Sequence, residues 1–174
     1  MSSESRGSDV FKIDEKSYGS DYRNHLLEQY KLYVEMADHV SARRTTANTF
    51  FLTASTIFLS IIGLFIGTFT TTNPHEVITA FAVTGASVAF SLAWWFALNS
   101  YDQLNTGKFK VIHQLERKLP AALFDAEWAV LGGGKDRKKY WPLSHVEKIL
   151  PKAFVIMYVI FLIVWILVIL GAIH

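Results

Sequence analysis

Three apolar runs, at about residues 49–70, 77–98 and 153–173, interrupt an otherwise polar chain, and charged side chains occur only at their edges. Each run is roughly 21 residues long, enough at about 1.5 Å per residue to cross a hydrocarbon layer of about 30 Å. A helix of a water-soluble domain keeps one face for charged and polar side chains. Three runs without a charge therefore predict an all-α integral membrane protein with three transmembrane helices.

The polar segments carry patterns of their own. Residues 1–20 are rich in Ser and Gly and read as a flexible N-terminal tail, with Val10, Phe11 and Ile13 as a small docking patch. Over 21–48, Leu26, Tyr30, Tyr33, Ala37 and Val40 recur at alternating steps of four and three, which predicts an amphipathic helix suited to a helix–helix seam. Asp21 is placed to cap it, and nothing between Val40 and Asn48 breaks it before the first span. Residues 49–98 form a transmembrane hairpin and 153–174 the third transmembrane helix.

Between them, 99–152 is too long for a plain connection and is expected to fold. Leu104, Val111, Ile112, Leu115 and Leu119 extend a helical stripe from the second span, weakened locally by Gly107. Pro120 suits the first turn of a new helix that Gly132, Gly133 and Gly134 stop. Ser144 and Glu147 have capping-box spacing for a short helix ending near Pro151. These pieces and the 21–48 helix predict a small helical bundle on one side of the membrane.

Charge sets the expected orientation. Lys31, Arg43 and Arg44 precede the first span, and ten Lys and Arg residues lie between Lys108 and Lys152, whereas Thr71–Glu76 has none. Lys and Arg favour the cytoplasmic side. The N-terminus and the 99–152 bundle are thus expected inside, and the C-terminus outside, in a multi-pass membrane protein. The net charge of +2 is mild and gives no reason to expect a nucleic-acid partner. The basic run from Lys135 to Lys139 suits the anionic headgroups of membrane lipids on the cytoplasmic side. The chain has no cysteine, which excludes disulfides, thiolate metal sites and cysteine nucleophiles. Ahead of the first span no apolar segment reads as a signal peptide, so that span is expected to serve as the insertion signal.

The spans differ in their faces. Along the first, Thr49, Thr53, Thr56, Ser60, Gly63 and Gly67 recur at steps of four and three, and along the second Gly85, Ala89, Ala93 and Ala97 recur every four. Small residues let helix backbones approach closely, and hydroxyls bond across the contact. The third span is Val, Ile, Leu, Phe and Trp on all sides, which reads as a lipid-facing helix outside these contacts. Two such faces on one chain predict homo-oligomerisation, and in a cyclic assembly the Thr/Ser face would either pack against a neighbour or line a hydrated centre.

Candidate chemistry is sparse. Glu35 and His39 stand at i and i+4, but two ligands make a weak metal site, and a surface ion pair is the simpler reading. GGGK at Gly132–Lys135 lacks the spacing and the following Ser or Thr of a phosphate-binding loop. Glu116, Asp125 and Glu127 have no nucleophile or Gly-rich cradle beside them. No catalytic, cofactor-binding or metal-ligating set emerges, and the chain reads as a non-enzyme without cofactors. Arg43, Arg44, Asn48, Trp94 and Trp95 lie at the inner membrane boundary. They read as interfacial anchors, or, for Arg43 and Arg44, as a clamp to Glu116, Glu127 or Glu147.

The stretch LEQYKLYVEMADHVSARRTTAN leads directly into the first span, and Tyr101, Lys108, Phe109, Glu116, Glu127–Trp128, Tyr140, Leu143, Glu147 and Pro151 follow before the third. Over about residues 21–173 this pattern resembles the RipA family of small bacterial cytoplasmic-membrane proteins. The resemblance implies a three-span homo-octamer of the inner membrane. It also implies a link, in some intracellular pathogens, to growth inside host cells, without a settled biochemical activity. A looser similarity exists to the SLATT-type membrane modules of bacterial conflict systems. The expectation is a homo-oligomeric scaffold or docking ring, with a channel lined by the first-span Thr/Ser face as the alternative.

Overall fold

The computed structural model describes residues 10–68, 73–134 and 138–171, apart from the side chains of Gly67 and Thr68. Its elements are α1 (Glu15–Tyr18), α2 (Tyr22–Thr68), α3 (Pro74–Glu116), α4 (Leu123–Val130), a 3-10 turn (Gly132–Gly134), α5 (Leu143–Glu147) and α6 (Ile149–Ile169). Among the described residues there is no strand. Three helical stretches, Tyr22–Ile66, Pro74–Glu116 and Leu143–Ile169, are long and apolar enough to cross a membrane. α2 runs unbroken from the amphipathic segment into the first apolar run. α3 likewise passes Gly107 without a break, since one glycine costs a helix only about 1 kcal/mol.

The chain divides into two compact units, residues 43–102 with 142–174 and residues 1–42 with 103–141. The first is the apolar unit. Arg44 meets Glu147 and Ser55 meets Tyr158, each across 103 positions, so α2 and α6 run parallel and in register. Trp94 bonds Asn48, while Ala80 clusters with Ile62, so α3 runs antiparallel to α2. Along α3 the residues Ala80, Thr84, Ser87, Ser91, Trp94 and Leu98 are buried, at steps of four and three. This is a helix-packing seam, and three of its six members bear hydroxyls small enough to let the backbones approach. The Thr84 and Ser87 hydroxyls donate to the carbonyls of Ala80 and Val83, each at 2.7 Å, so burial leaves neither unbonded.

Aromatic rings fill the wider gaps. Phe51 stacks on Trp94 at 6.1 Å and lies 5.0 Å from Phe90, and Trp94 also meets Phe154 at 6.0 Å.

The third apolar helix departs from its expected place. Tyr158 and Trp165 are 0% and 3% exposed, and they form the core with Ile62 and Ala80. Tyr158 donates its hydroxyl to the Ser55 carbonyl at 2.7 Å, and Trp165 Nε1 donates to Thr84 Oγ1 at 3.2 Å. α6 is therefore no uniformly lipid-facing helix. Pro151, Tyr158 and Trp165, seven apart, form a buried stripe along it. Pro151 lies in the first turn of α6, where its missing N–H leaves no hydrogen bond unmade, instead of ending the preceding helix. The Ser144–Glu147 capping box does not form: Pro142 occupies the N-cap of α5 and no side chain caps it.

In the second unit, Leu26, Ala37 and Val40 of α2 are buried, as are Ile112 and Leu115 of α3. Phe124 of α4 packs on Phe109 at 5.7 Å. The turn after α4 needs glycine. Gly132, Gly133 and Gly134 have φ of 74°, 61° and 70°, and a Cβ on Gly134 would sit 2.9 Å from the Trp128 ring. Pro120 lies outside α4, which begins three residues later. At the N-terminal end Phe11 lies under the Lys118 ammonium, 3.9 Å from its ring centre, and Lys118 also donates to Tyr22 Oη at 3.2 Å.

Candidate functional site

The residues singled out in the sequence fall into two groups, both in the apolar unit. The first is the pair of small-residue faces. In the single protomer Thr49, Thr53, Thr56, Ser60 and Gly63 are all exposed on α2, opposite the face that carries Phe51, Ser55 and Ile62 into the core. Gly85, Ala89 and Ala93 of α3 are likewise exposed, and Ala97 is half-buried. A Cβ built on Gly63 or Gly85 would touch nothing within 4 Å, so neither glycine is required by packing inside the protomer. Thr49, Thr56 and Ser60 donate their hydroxyls to carbonyls one turn back, at 3.1, 2.8 and 2.9 Å. Gly67 lies outside the residues whose side chains are described.

The second group is a polar layer at one end of the apolar unit. Arg44 forms an ion pair with Glu147, each side chain only 12% exposed, and Lys148 donates to Asp102 Oδ2 at 2.7 Å. Of the three carboxylates open to Arg44 in the sequence, it is Glu147 that it meets. Burial alone would raise the Asp102 pKa. The Lys148 ammonium, the Ser144 hydroxyl and the Arg44 guanidinium outweigh it and hold the carboxyl below its ordinary value. Trp94 is fully buried, its Nε1 donating to Asn48 Oδ1 at 3.0 Å, so this pair clamps α3 to α2 and only Trp95 of the two indoles reaches the outside. Arg43 is exposed. Buried charge is costly unless paired, and both pairs fix how the start of α6 sits on α2 and α3.

A third cluster, in the other unit, escaped the sequence reading. Glu116, 1% exposed, accepts hydrogen bonds from the backbone N–H groups of Phe124 and Asp125 at 3.0 and 3.2 Å and from Tyr30 Oη at 3.1 Å. One carboxylate thus caps the N-terminus of α4 and ties it to α2. Burial, the hydrogen bond to Glu116 and its negative charge together raise the Tyr30 pKa. The nearby His113–Asp125 contact is 3.3 Å. Glu35 and His39 are exposed and 3.9 Å apart. Among the described residues no three His, Asp or Glu side chains gather as metal ligands would. The Lys135–Lys139 run lies partly outside the described residues, which omit 135–137.

Residues 27–168 match the sequence model of a family described as 8xMP, the octameric membrane protein family. That description agrees with the resemblance to RipA-type proteins read from the sequence. No curated protein and no solved structure matches the chain.

Proposed function

The chain belongs to the octameric membrane protein family, and from that premise we propose that it acts as a non-enzymatic scaffold, a homo-octameric ring in the bacterial inner membrane. Its N-terminus and the unit containing α4 face the cytoplasm and its C-terminus faces away, as the Lys and Arg distribution favours. The Thr49–Gly63 face of each protomer seats against the Gly85–Ala93 face of the next.

One observation carries this reading. The small-residue faces of α2 and α3 are exposed in the protomer, and of the hydroxyls at Thr49, Thr53, Thr56 and Ser60 three already donate to their own helix. Such a surface needs no water and suits a dry helix contact. On the cytoplasmic side α4 holds Leu123 and Val130, seven apart on one helix face and 68% and 77% exposed. A ring would repeat this apolar patch around its axis and offer it to a partner protein. The link to growth inside host cells, drawn from the resemblance, would then act through such a partner.

The test is a density map of the detergent-solubilised particle combined with Gly63→Leu and Gly85→Leu. Both substitutions should keep the helical content and lose the octamer, because an added side chain has room within the protomer but not against a neighbour. An octamer that survives both would contradict the proposed contact.

The second reading is a channel lined by Thr49, Thr53, Thr56 and Ser60. Thr53 favours it, since its exposed hydroxyl makes none of the backbone bonds its three companions make. Solute or ion flux through reconstituted protein, abolished by Thr53→Leu, would establish the channel in place of the scaffold.

A further inference from the structure

α3 and α6 leave a cleft of about 390 Å³ on the outside of the apolar unit, lined by Leu92, Trp95, Pro151, Lys152, Val155 and Ile156. It runs along the helices from Trp95 and Lys152 at one end to Leu92, Val155 and Ile156 at the other. Its walls are apolar throughout, and its one ionisable lining residue is a cation. We infer that this cleft is a binding site for an anionic phospholipid, with one acyl chain against Leu92, Val155 and Ile156 and the headgroup phosphate at Lys152.

The position of Lys152 carries the inference. The charges of the neighbouring layer are matched internally, Arg44 with Glu147 and Lys148 with Asp102. Lys152 stands one helical turn further along α6, about 6 Å beyond that layer and at the very edge of the apolar run. It is exposed, and no carboxylate among the described residues pairs with it. An unpaired ammonium at that boundary seeks an anion, and the phosphates of a bilayer lie within its reach. Trp95, half-exposed beside it, brings an amphipathic ring of the kind that settles at headgroup level. Basic clefts between membrane helices are a recognised way to hold acidic headgroups. Leu92 and Ile156, both exposed in the protomer, keep the cleft open to a chain entering from the bilayer.

This inference needs the chain to span a bilayer but not the scaffold role, and the experiment separates the two. The octamer is extracted from vesicles of phosphatidylglycerol and phosphatidylcholine in equal amounts, and native mass spectrometry reads subunit number and bound lipid in one spectrum. The wild-type protein should carry phosphatidylglycerol in preference to phosphatidylcholine. Lys152→Gln should cut that preference about fivefold, the equivalent of ~1 kcal/mol for one basic residue at the surface. Lys31→Gln, whose ammonium is already paired with Glu28 at 2.8 Å and does not line the cleft, should leave it unchanged. Leu92→Trp and Ile156→Trp, which fill the cleft, should lower retention of both lipids. An unchanged preference in Lys152→Gln, an equal loss in Lys31→Gln, or a neighbouring protomer's side chain in the cleft would overturn the site. Loss of the octamer in the wild-type protein would instead contradict the ring.

Discussion

Tyr158 of α6 donates its phenolic hydroxyl to the backbone carbonyl of Ser55 on α2 at 2.7 Å, inside a helix that reads as uniformly apolar. The residue is fully buried, so its ring and its hydroxyl can be tested separately. Tyr158→Phe keeps the packing and loses one hydrogen bond, an expected cost of about 1 kcal/mol. Tyr158→Ala also opens a cavity beside Ile62 and Trp165 and should cost about 3–5 kcal/mol. Unfolding in mixed detergent micelles measures both. Equal effects would mean that the ring contributes nothing.

The Arg44–Glu147 pair makes a second prediction. Both side chains are nearly enclosed, so Arg44→Ala or Glu147→Ala strands a buried charge and should destabilise by about 3–5 kcal/mol. Exchanging the two, Arg44→Glu with Glu147→Arg, should recover part of that loss. Arg43→Ala, at an exposed position next door, should stay within about 0.5 kcal/mol of the wild type. The same unfolding assay, arranged as a double-mutant cycle, checks all of them.

Asp102 predicts a pH dependence. Its carboxyl titrates below the ordinary value in the native protein, so the unfolded chain takes up the proton first as pH falls. The stabilisation is fully present above the ordinary aspartate pKa of about 3.9 and is lost as pH drops through the native value. Asp102→Asn should therefore be less stable than the wild type at neutral pH, and the gap should close in acid. Melting curves from pH 7 downward test this, and a gap constant with pH would contradict the role of Lys148 as its partner.

Glu116 organises the other unit. Glu116→Ala leaves the Phe124 and Asp125 N–H groups and the Tyr30 hydroxyl without their acceptor. Hydrogen exchange at those two amides should speed up at least tenfold while the amides of α3 itself stay protected. Glu116→Gln keeps one acceptor oxygen and should fall between the two. Unchanged exchange in Glu116→Ala would show that α4 is held by Phe124 packing alone.

The three spans were legible from composition, because a charge-free run of membrane length has few alternative readings. So was the amphipathic stripe from Leu26 to Val40, whose steps of four and three are the buried face of α2. The division of labour within α3 was not. Gly85, Ala89 and Ala93 form the more conspicuous row, yet Thr84, Ser87, Ser91 and Trp94 make the protomer's seam, and both rows have small residues at helical spacing. Hydropathy also hid α6. Pro151, Tyr158 and Trp165 break its aliphatic run on one face, and their seven-residue interval was the available signal. Glu147 stood among three carboxylates offered to Arg44 and the Lys148–Asp102 pair was not read at all, because the partners lie 103 and 46 positions apart and sequence spacing speaks only for neighbours on one helix. Glu116 was noticed as a carboxylate, but its work as a cap depends on the chain turning back at Pro120.

The central claim is that the hydroxyl face of α2 meets the small-residue face of α3 in the next protomer. The chain is free of cysteine, so Thr53→Cys with Ala89→Cys, two positions at a similar level on antiparallel helices, introduces the only thiols. Mild oxidation in native membranes should give a ladder of covalent species reaching eight subunits, with neither single variant passing a dimer. A ladder from Thr53→Cys paired with Ile156→Cys, the α6 position level with Thr53, and none from the Thr53–Ala89 pair, would place α6 at the subunit contact and contradict the account.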